Sequence, residues 1–329
     1  MSQNTHGIKM YGDIKLYAGS GSPELAQKIA DYLEQRLSPR DIIQFPNENI
    51  FVKLNNSARG QDVYVIQTTS SPVHYNLMEL LIMIQTVRLD SAARITAVVP
   101  YLCYGRSDKK DQPRVPITAR LVADMIESAG ADRYMTFDPH AGQIQGFFSI
   151  PGDVLTASHM ITDHIKDHLQ ADMKDPVVVA TDLGFAKKGR NYALDLDVPI
   201  AFIEKRRAGN DASAEALTLI GDVNGHDVII VDDEVDTGGS VAQAVDVVKK
   251  NGARDIYLAF IHPIFSRAAA QRLADLPIKH ILTTDTVPIP ATKMQPLERR
   301  TTVLSIAPLL GEVIRRAHEG RSVGEMFNE

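Results

Sequence analysis

The chain has one cysteine in 329 residues, Cys103. That scarcity excludes an intrachain disulfide and a thiolate zinc cluster. A lone thiol just past the apolar run ITAVVPY reads as core packing rather than as a nucleophile. An excess of positive charge is missing too. With a formal net charge of −6, nothing points to a nucleic-acid binder or to a membrane surface, and a polyanionic ligand would have to be met by local basic clusters. Long hydrophobic runs are likewise absent: the most apolar helical stretch, LMELLIMI, carries Glu79 and is too short to cross a bilayer. The first residues, MSQNTHGIKMYGD, are too polar for a secretory core, so a cytoplasmic location is expected.

Missing motifs narrow the function further. No G-x-G-x-x-G opens the first helix, which argues against a dinucleotide oxidoreductase. GSGSPE, from Gly19, lacks the Gly-Lys-Ser/Thr of a P-loop and reads as a turn in which Ser22 caps a helix with Pro23 in its first turn. SHMITDHIKDHL sets His164 and His168 at helical spacing. Without an HExxH pattern or a third ligand, it reads as a solvated helix face rather than a zinc site.

What is present is a folded composition, 44% hydrophobic and 23% charged, long enough for two domains with separate cores. IKLYAG, VYVIQTT, ITAVVPY, DRYMTF, PVVVAT, PIAFIE, DVIIVD, DIYLAF and HILTTD have the composition of strands. Helical patterns such as PITARLVADMIESAG and SVAQAVDVVKKNG lie between several of them, which predicts an α/β fold with largely parallel sheets. One internal echo stands out. SAGADRYMTFDPH ends at His140 and KNGARDIYLAFIH at His262, with Gly130–Ala131 aligned on Gly252–Ala253. A glycine after a helix is ordinary capping chemistry, yet the echo suggests two related α/β domains, and its single occurrence excludes a solenoid. The boundary is expected near residue 155, in the loop-like PGDVLTASHM, giving domains 1–155 and 156–304. The closing TTVLSIAPLLGEVIRRAHEG reads as one more strand and helix, with 305–329 packing back on the first domain.

VIIVDDEVDTGGS, Val228–Ser240, poses an electrostatic puzzle. Val228–Val231 read as a short buried strand, and SVAQAVDVVKK as the helix after it. Between them, the backbone N–H groups of a glycine turn and the positive end of the helix would form an anion site. Gly238 and Gly239 allow close approach, while Thr237 and Ser240 add hydroxyl donors. Asp232, Asp233, Glu234 and Asp236 crowd the same place, where a bare phosphate would be repelled. Carboxylates accept hydrogen bonds from vicinal hydroxyls, or hold a hard cation. A sugar phosphate therefore suits both ends of the motif. An acidic turn capping a helix is the simpler alternative.

Beside this motif stands YGRSDKKDQPRVPITARLVADMIESAGADRYMTFDPHAGQIQGFF, Tyr104–Phe148. Together the two stretches resemble the ribose-phosphate pyrophosphokinases, the ATP-using synthases of phosphoribosyl pyrophosphate, and the resemblance runs from about Ile14 to the C-terminus. It implies two similar phosphoribosyltransferase-like domains, each with a mainly parallel sheet flanked by helices, the first on the ATP side and the second on the ribose 5-phosphate side. It implies that Arg106, Ser107 and Asp111 of RSDKKDQPR, with Phe45, Asn47 and Asn49 of QFPNENIF, bind ATP. His140 and Asp182, each past a strand, would hold Mg²⁺ carried in with the nucleotide, with Gln143 near His140. Lys205 and Arg207 of IEKRRAG would belong to a loop that closes over the reacting phosphates, Arg207 also touching ribose 5-phosphate. The sugar phosphate itself would sit on Asp232, Asp233, Asp236, Thr237, Gly238, Gly239 and Ser240.

The resemblance also implies a homo-oligomer, commonly a hexamer, controlled by phosphate and nucleoside diphosphate. Pro46, Glu48 and Asn49 depart from the family's nucleotide loop; Ser107 stands where glutamine is usual, and Phe185 where a glycine follows the aspartate. Two alternatives share the motifs in part. A phosphoribosyltransferase would keep the sugar-phosphate loop without needing RSDKKD, DPH or EKRR. A non-catalytic regulatory subunit fits the altered QFPNEN, but not the intact His140, Lys205 and Arg207.

Overall fold

The computed structural model describes residues 11–207 and 215–327. It divides into two compact units, one made of residues 1–155 and 306–329, the other of residues 156–305.

The first unit is built on β1 (Ile14–Ala18), α1 (Pro23–Tyr32), β2 (Arg40–Gln44), β3 (Ile50–Leu54), β4 (Asp62–Ile66), α2 (Val73–Leu89), β5 (Arg94–Val99), α3 (Thr118–Ala129), β6 (Arg133–Phe137) and β7 (Gly152–Leu155). Five strands form one sheet in the order β1-β4-β5-β6-β7, every neighbour parallel. β4 and β5 are buried along their whole length, as expected of parallel strands covered on both faces, and this is why they read as mainly apolar runs. α3 buries Ala119, Val122, Ala123 and Ile126, a stripe at helical spacing. Cys103 is packed in this core, and burial pushes its thiol up to about 11. PGDVL, expected to be a loop, is in fact the edge strand β7: Gly152–Leu155 pair with Tyr134–Phe137. Four residues are too few to show a period of their own, so only the pairing reveals the strand.

QFPNENIF proves to be the tip of an antiparallel hairpin, β2 against β3, with register Gln44↔Ile50. Ser22 begins α1 but does not cap it with its side chain. Its hydroxyl accepts instead from the Thr68 N–H at 3.2 Å, which ties the turn after β1 to the turn after β4.

The second unit is built on α4 (Ser158–His168), β8 (Val177–Ala180), α5 (Ala186–Leu196), β9 (Ile200–Arg207), β10 (Glu215–Ile220), β11 (Val228–Glu234), α6 (Gly239–Lys250), β12 (Ile256–His262), α7 (Ala269–Ala274), β13 (His280–Thr284), α8 (Ala291–Met294) and β14 (Thr301–Leu304). Its sheet runs β10-β9-β8-β11-β12-β13-β14, parallel except for the β9–β10 pair. The expected α/β architecture of parallel sheets flanked by helices is thus observed in each unit. α3 ends at Gly130 (φ 115°), and Gly252 (φ 87°) follows α6, so both glycines of the sequence echo take the left-handed conformation that lets a chain leave a helix sharply.

The last helix, α9 (Ala307–Glu319), belongs to the first unit. Asp62, fully buried, accepts from Arg94 Nε at 2.7 Å and Nη2 at 2.6 Å, and from the Tyr64 hydroxyl at 3.0 Å. His318 Nδ1 of α9 lies 2.8 Å from the same carboxylate, and Arg94 Nη2 donates to the Ala317 carbonyl at 3.0 Å. A buried carboxylate needs such compensation, and here the compensating groups anchor the C-terminal helix to the sheet. No described helix is long and apolar enough to cross a membrane.

Candidate functional site

Strand carboxyl ends are where open α/β sheets take ligands, because the helices that follow aim their N-termini there. In the second unit β11 runs to Glu234, longer than the apolar run VIIV suggested, because Asp232 pairs with Phe260 and Glu234 with His262 on β12. Asp232, Asp233 and Glu234 are therefore the last residues of a strand rather than part of a loop. The first two carboxylates are each fastened to the next peptide: Asp232 Oδ1 accepts from the Asp233 N–H, and Asp233 Oδ1 from the Glu234 N–H, both at 2.9 Å. The Thr181 hydroxyl, just past β8, donates to Asp232 Oδ2 at 2.9 Å. Burial first, and the neighbouring Asp233 carboxylate second, hold the Asp232 carboxyl well above the ordinary carboxylate range, while the Thr181 hydroxyl opposes them.

The turn after the strand delivers the cradle. Gly238 takes φ 73°, a left-handed conformation that costs glycine least, and Gly239 begins α6. The first intrahelical bond runs from the Ala242 N–H to the Gly238 carbonyl at 3.0 Å. The N–H groups of Gly239, Ser240 and Val241 precede it and have no intrahelical acceptor, as in any helix. This end of the strand thus offers hydroxyl acceptors on the acids and anion donors on the helix, a few residues apart.

Asp182 stands two residues past β8, its Oδ1 accepting from the Phe185 N–H at 2.9 Å as the chain turns into α5. Phe185 is buried and lies near the Tyr192 ring. Lys205 and Arg207 have their backbone in β9, paired to β10 through Lys205↔Leu217 and Arg207↔Glu215. Lys205–Arg207 therefore belong to a strand and not to the loop expected from IEKRRAG; the side chains of Lys205 and Arg207, and the residues that follow, lie outside the described residues.

In the first unit, the long connection from β5 to α3 carries the basic run. Arg106, Lys109, Lys110, Asp111 and Arg114 are exposed. Ser107 acts locally. Its hydroxyl accepts from the Thr118 N–H at 3.2 Å and its carbonyl from the Ala119 N–H at 3.1 Å, capping α3. The Gln143 amide donates to the Asp108 carboxylate, joining the turn after β6 to this connection. His140 is exposed beside it: a Cβ placed on Gly105 would lie 3.5 Å from the His140 Cβ. The structure thus brings Gly105, the chain neighbour of Arg106, against His140. Phe45, Asn47 and Asn49 lie on the tip of the β2–β3 hairpin. There the Phe45 N–H donates to the Asn49 carbonyl at 2.8 Å and the Asn49 N–H to Asn47 Oδ1 at 3.3 Å.

Sequence reasoning missed two organising side chains. Thr181 was visible only as the residue after the run VVVA. Glu79 read as a charge interrupting an apolar helix, but it is fully buried, accepting from the Ser20 N–H at 2.5 Å and the Gln67 amide at 3.1 Å. Gln67 in turn accepts from the Gly21 N–H at 2.8 Å, so the pair shapes the ends of β1 and β4.

Comparison with known proteins adds an independent line. One family model, the N-terminal domain of ribose phosphate pyrophosphokinase, matches residues 14–130. A second, the phosphoribosyl synthetase-associated domain, matches residues 212–328. The chain is 43% identical to the ribose-phosphate pyrophosphokinase of Aquifex aeolicus, covering 95% of this chain and 99% of that one. It is 40% identical to that of Vibrio cholerae, over 96% and 99% respectively. A crystal structure of phosphoribosylpyrophosphate synthetase from Mycobacterium smegmatis is similar at a TM-score of 0.88 and 41% identity, covering 94% of this chain and 99% of that one.

Proposed function

The chain belongs to the ribose-phosphate pyrophosphokinase family, and from that premise we propose that it transfers the β,γ-pyrophosphoryl group of ATP to the 1-hydroxyl of ribose 5-phosphate. The hydroxyl oxygen forms a bond to the β-phosphorus, the bond from that phosphorus to the oxygen bridging to the α-phosphate breaks, and AMP leaves. The hydroxyl proton is released with the products.

One observation supports the reading of the sugar site: the acids ending β11 and the N-terminus of α6 are joined by a turn whose Gly238 is left-handed. The 5-phosphate belongs on Asp236–Ser240, and the ribose hydroxyls face Asp232 and Asp233. The exposed Arg106 is assigned to the nucleotide, where a guanidinium both forks to phosphate oxygens and stacks on a base. Lys205 and Arg207 are assigned to neutralising charge on the transferring and leaving oxygens. Phosphoryl chemistry is mostly positioning and electrostatics, so no general base is required.

Among the described residues no group of three or more His, Cys, Asp or Glu side chains is arranged to hold a metal. Magnesium binds through one or two protein ligands and the phosphates it arrives with. His140 and Asp182 are assigned as its protein donors; Asp182 commits one carboxylate oxygen to Phe185 and keeps the other. Bound with the nucleotide, Mg²⁺ would draw charge off the phosphate oxygens. The family resemblance further supports a homo-oligomer, a hexamer by that likeness.

Purified protein given ATP, Mg²⁺ and ribose 5-phosphate is expected to release AMP only when the sugar is present, followed by chromatography. Folded protein that makes no sugar-dependent AMP would overturn the assignment.

A further inference from the structure

We propose that Arg272 is a positioning residue for the sugar-phosphate cradle, acting through the Thr237 carbonyl; this rests on reading Asp236–Ser240 as the phosphate site. Arg272 lies on α7, thirty-five residues from Thr237, and its Nη1 donates to the Thr237 carbonyl at 2.5 Å. The turn itself rests on that helix. A Cβ on Gly238 would lie 3.7 Å from both Arg272 Cδ and the Ala269 carbonyl, and 3.8 Å from Leu273 Cδ2. The peptide before is held from the same side: the Ser266 N–H donates to the Asp236 carbonyl, and the Phe265 N–H to the Val235 carbonyl, each at 3.0 Å. Val235 donates in turn to the His262 carbonyl at 3.0 Å.

Peptide planarity converts these bonds into an orientation. In a trans peptide the C=O and the following N–H point in opposite directions. Drawing the Asp236 and Thr237 carbonyls toward the segment after β12 therefore turns the N–H groups of Thr237 and Gly238 the other way. They join the first N–H groups of α6, which precede the helix ladder, as donors to one anion. The bond from Arg272 is charge-assisted, and the same guanidinium places a fixed positive charge beside a turn crowded by Asp232, Asp233, Glu234 and Asp236. A Cβ on Gly239 would be 3.9 Å from Arg272 Nη1, so that charge lies against the turn's backbone. Arg272 is exposed and fills no core position. Its retention in this pose is accounted for by the carbonyl it holds.

The test compares wild type, Arg272→Ala and Arg272→Lys. Expected for Arg272→Ala is a rise of about tenfold in KM for ribose 5-phosphate, the size of one hydrogen bond to a charged donor. Its kcat and its KM for ATP should change by less than about twofold, and its melting temperature should stay close to wild type. Arg272→Lys, which keeps a charged donor without the planar fork, should fall between. An unchanged KM for the sugar in Arg272→Ala, or equal loss in kcat and in both KM values, overturns the proposal. If Arg272→Ala does not fold, the lysine variant decides by the same criteria. Should wild type release no AMP, the pyrophosphokinase reading fails separately. Calorimetric titration with ribose 5-phosphate then decides: weaker binding by the variant supports the proposal, and equal binding or none overturns it.

Discussion

At the scale of single residues the site turns on how few groups settle the charge state of Asp232. Burial and Asp233 push its carboxyl up, and the Thr181 hydroxyl, by donating to the ionised form, pulls it down. Thr181→Val removes that donor at nearly constant volume. With the donor gone the carboxyl rises further, so the acid limb of kcat/KM for ribose 5-phosphate should move to higher pH. Activity on the acid side should fall about fivefold, the scale of one lost hydrogen bond, and recover at alkaline pH. A pH–rate profile that superposes on wild type would remove Thr181 from the site. The acids and glycines around this pair were legible in the sequence because they are contiguous. Thr181 and Arg272 were not, being far from them along the chain. Ser107 was assigned to the nucleotide, and it proves also to cap α3, which spacing to Thr118 alone did not reveal.

Among the elements, α9 shows how a terminal segment is held by shape as well as charge. Gly311 lies against the ring of Tyr32 on α1: a Cβ there would stand 2.4 Å from Tyr32 Cδ1 and 3.0 Å from Cγ. Alanine normally favours a helix over glycine by about 1 kcal/mol. Here that gain is outweighed, because an aromatic ring near its root gives way less readily than the tip of a flexible chain. Gly311→Ala is expected to lose about 1–3 kcal/mol net through overpacking, lowering the melting temperature of the first unit by roughly 3–8 °C in calorimetry. A rise in melting temperature would show that α1 yields. Periodicity announced α9 and most of the buried helices and strands, since each has a long run with one solvent regime. It missed β2, β3, β7 and β10, which are short or half-exposed and become strands only by pairing.

For the whole molecule, two histidines of the second unit contribute to the response of stability to acid. Burial first, and His168 second, lower His164, with Asp167 opposing; burial and then His164 lower His280. The folded second unit therefore binds protons less readily than the unfolded chain at these sites. Their contribution is complete above the unfolded value of about 6.5 and is lost as pH falls through it toward the depressed folded values. The pairs Asp255–Lys279 and Glu312–Arg316, whose carboxyls are held low, lose their contribution only further down, as the carboxylates protonate. Asp232, whose carboxyl is held high in the same unit, acts in the opposite sense, so the histidine part is read by comparing variants. Between pH 7.5 and pH 5.5 the melting temperature of the second unit should fall less in His164→Gln than in wild type, and an unaltered slope would exclude the cluster.

The linear order of residues determined most of the buried strands and helices, that the two large sheets are mainly parallel, and that one uninterrupted motif pairs acids with a glycine turn. Those features depend on neighbours within a few positions, where periodicity and backbone preference act. Only the tertiary structure decided that β11 continues through its acids, that Thr181 reaches Asp232, that Glu79 shapes the loops of the first unit, and that Arg272 holds the Thr237 carbonyl. Each of these is a contact between residues distant along the chain, set by strand register and helix packing.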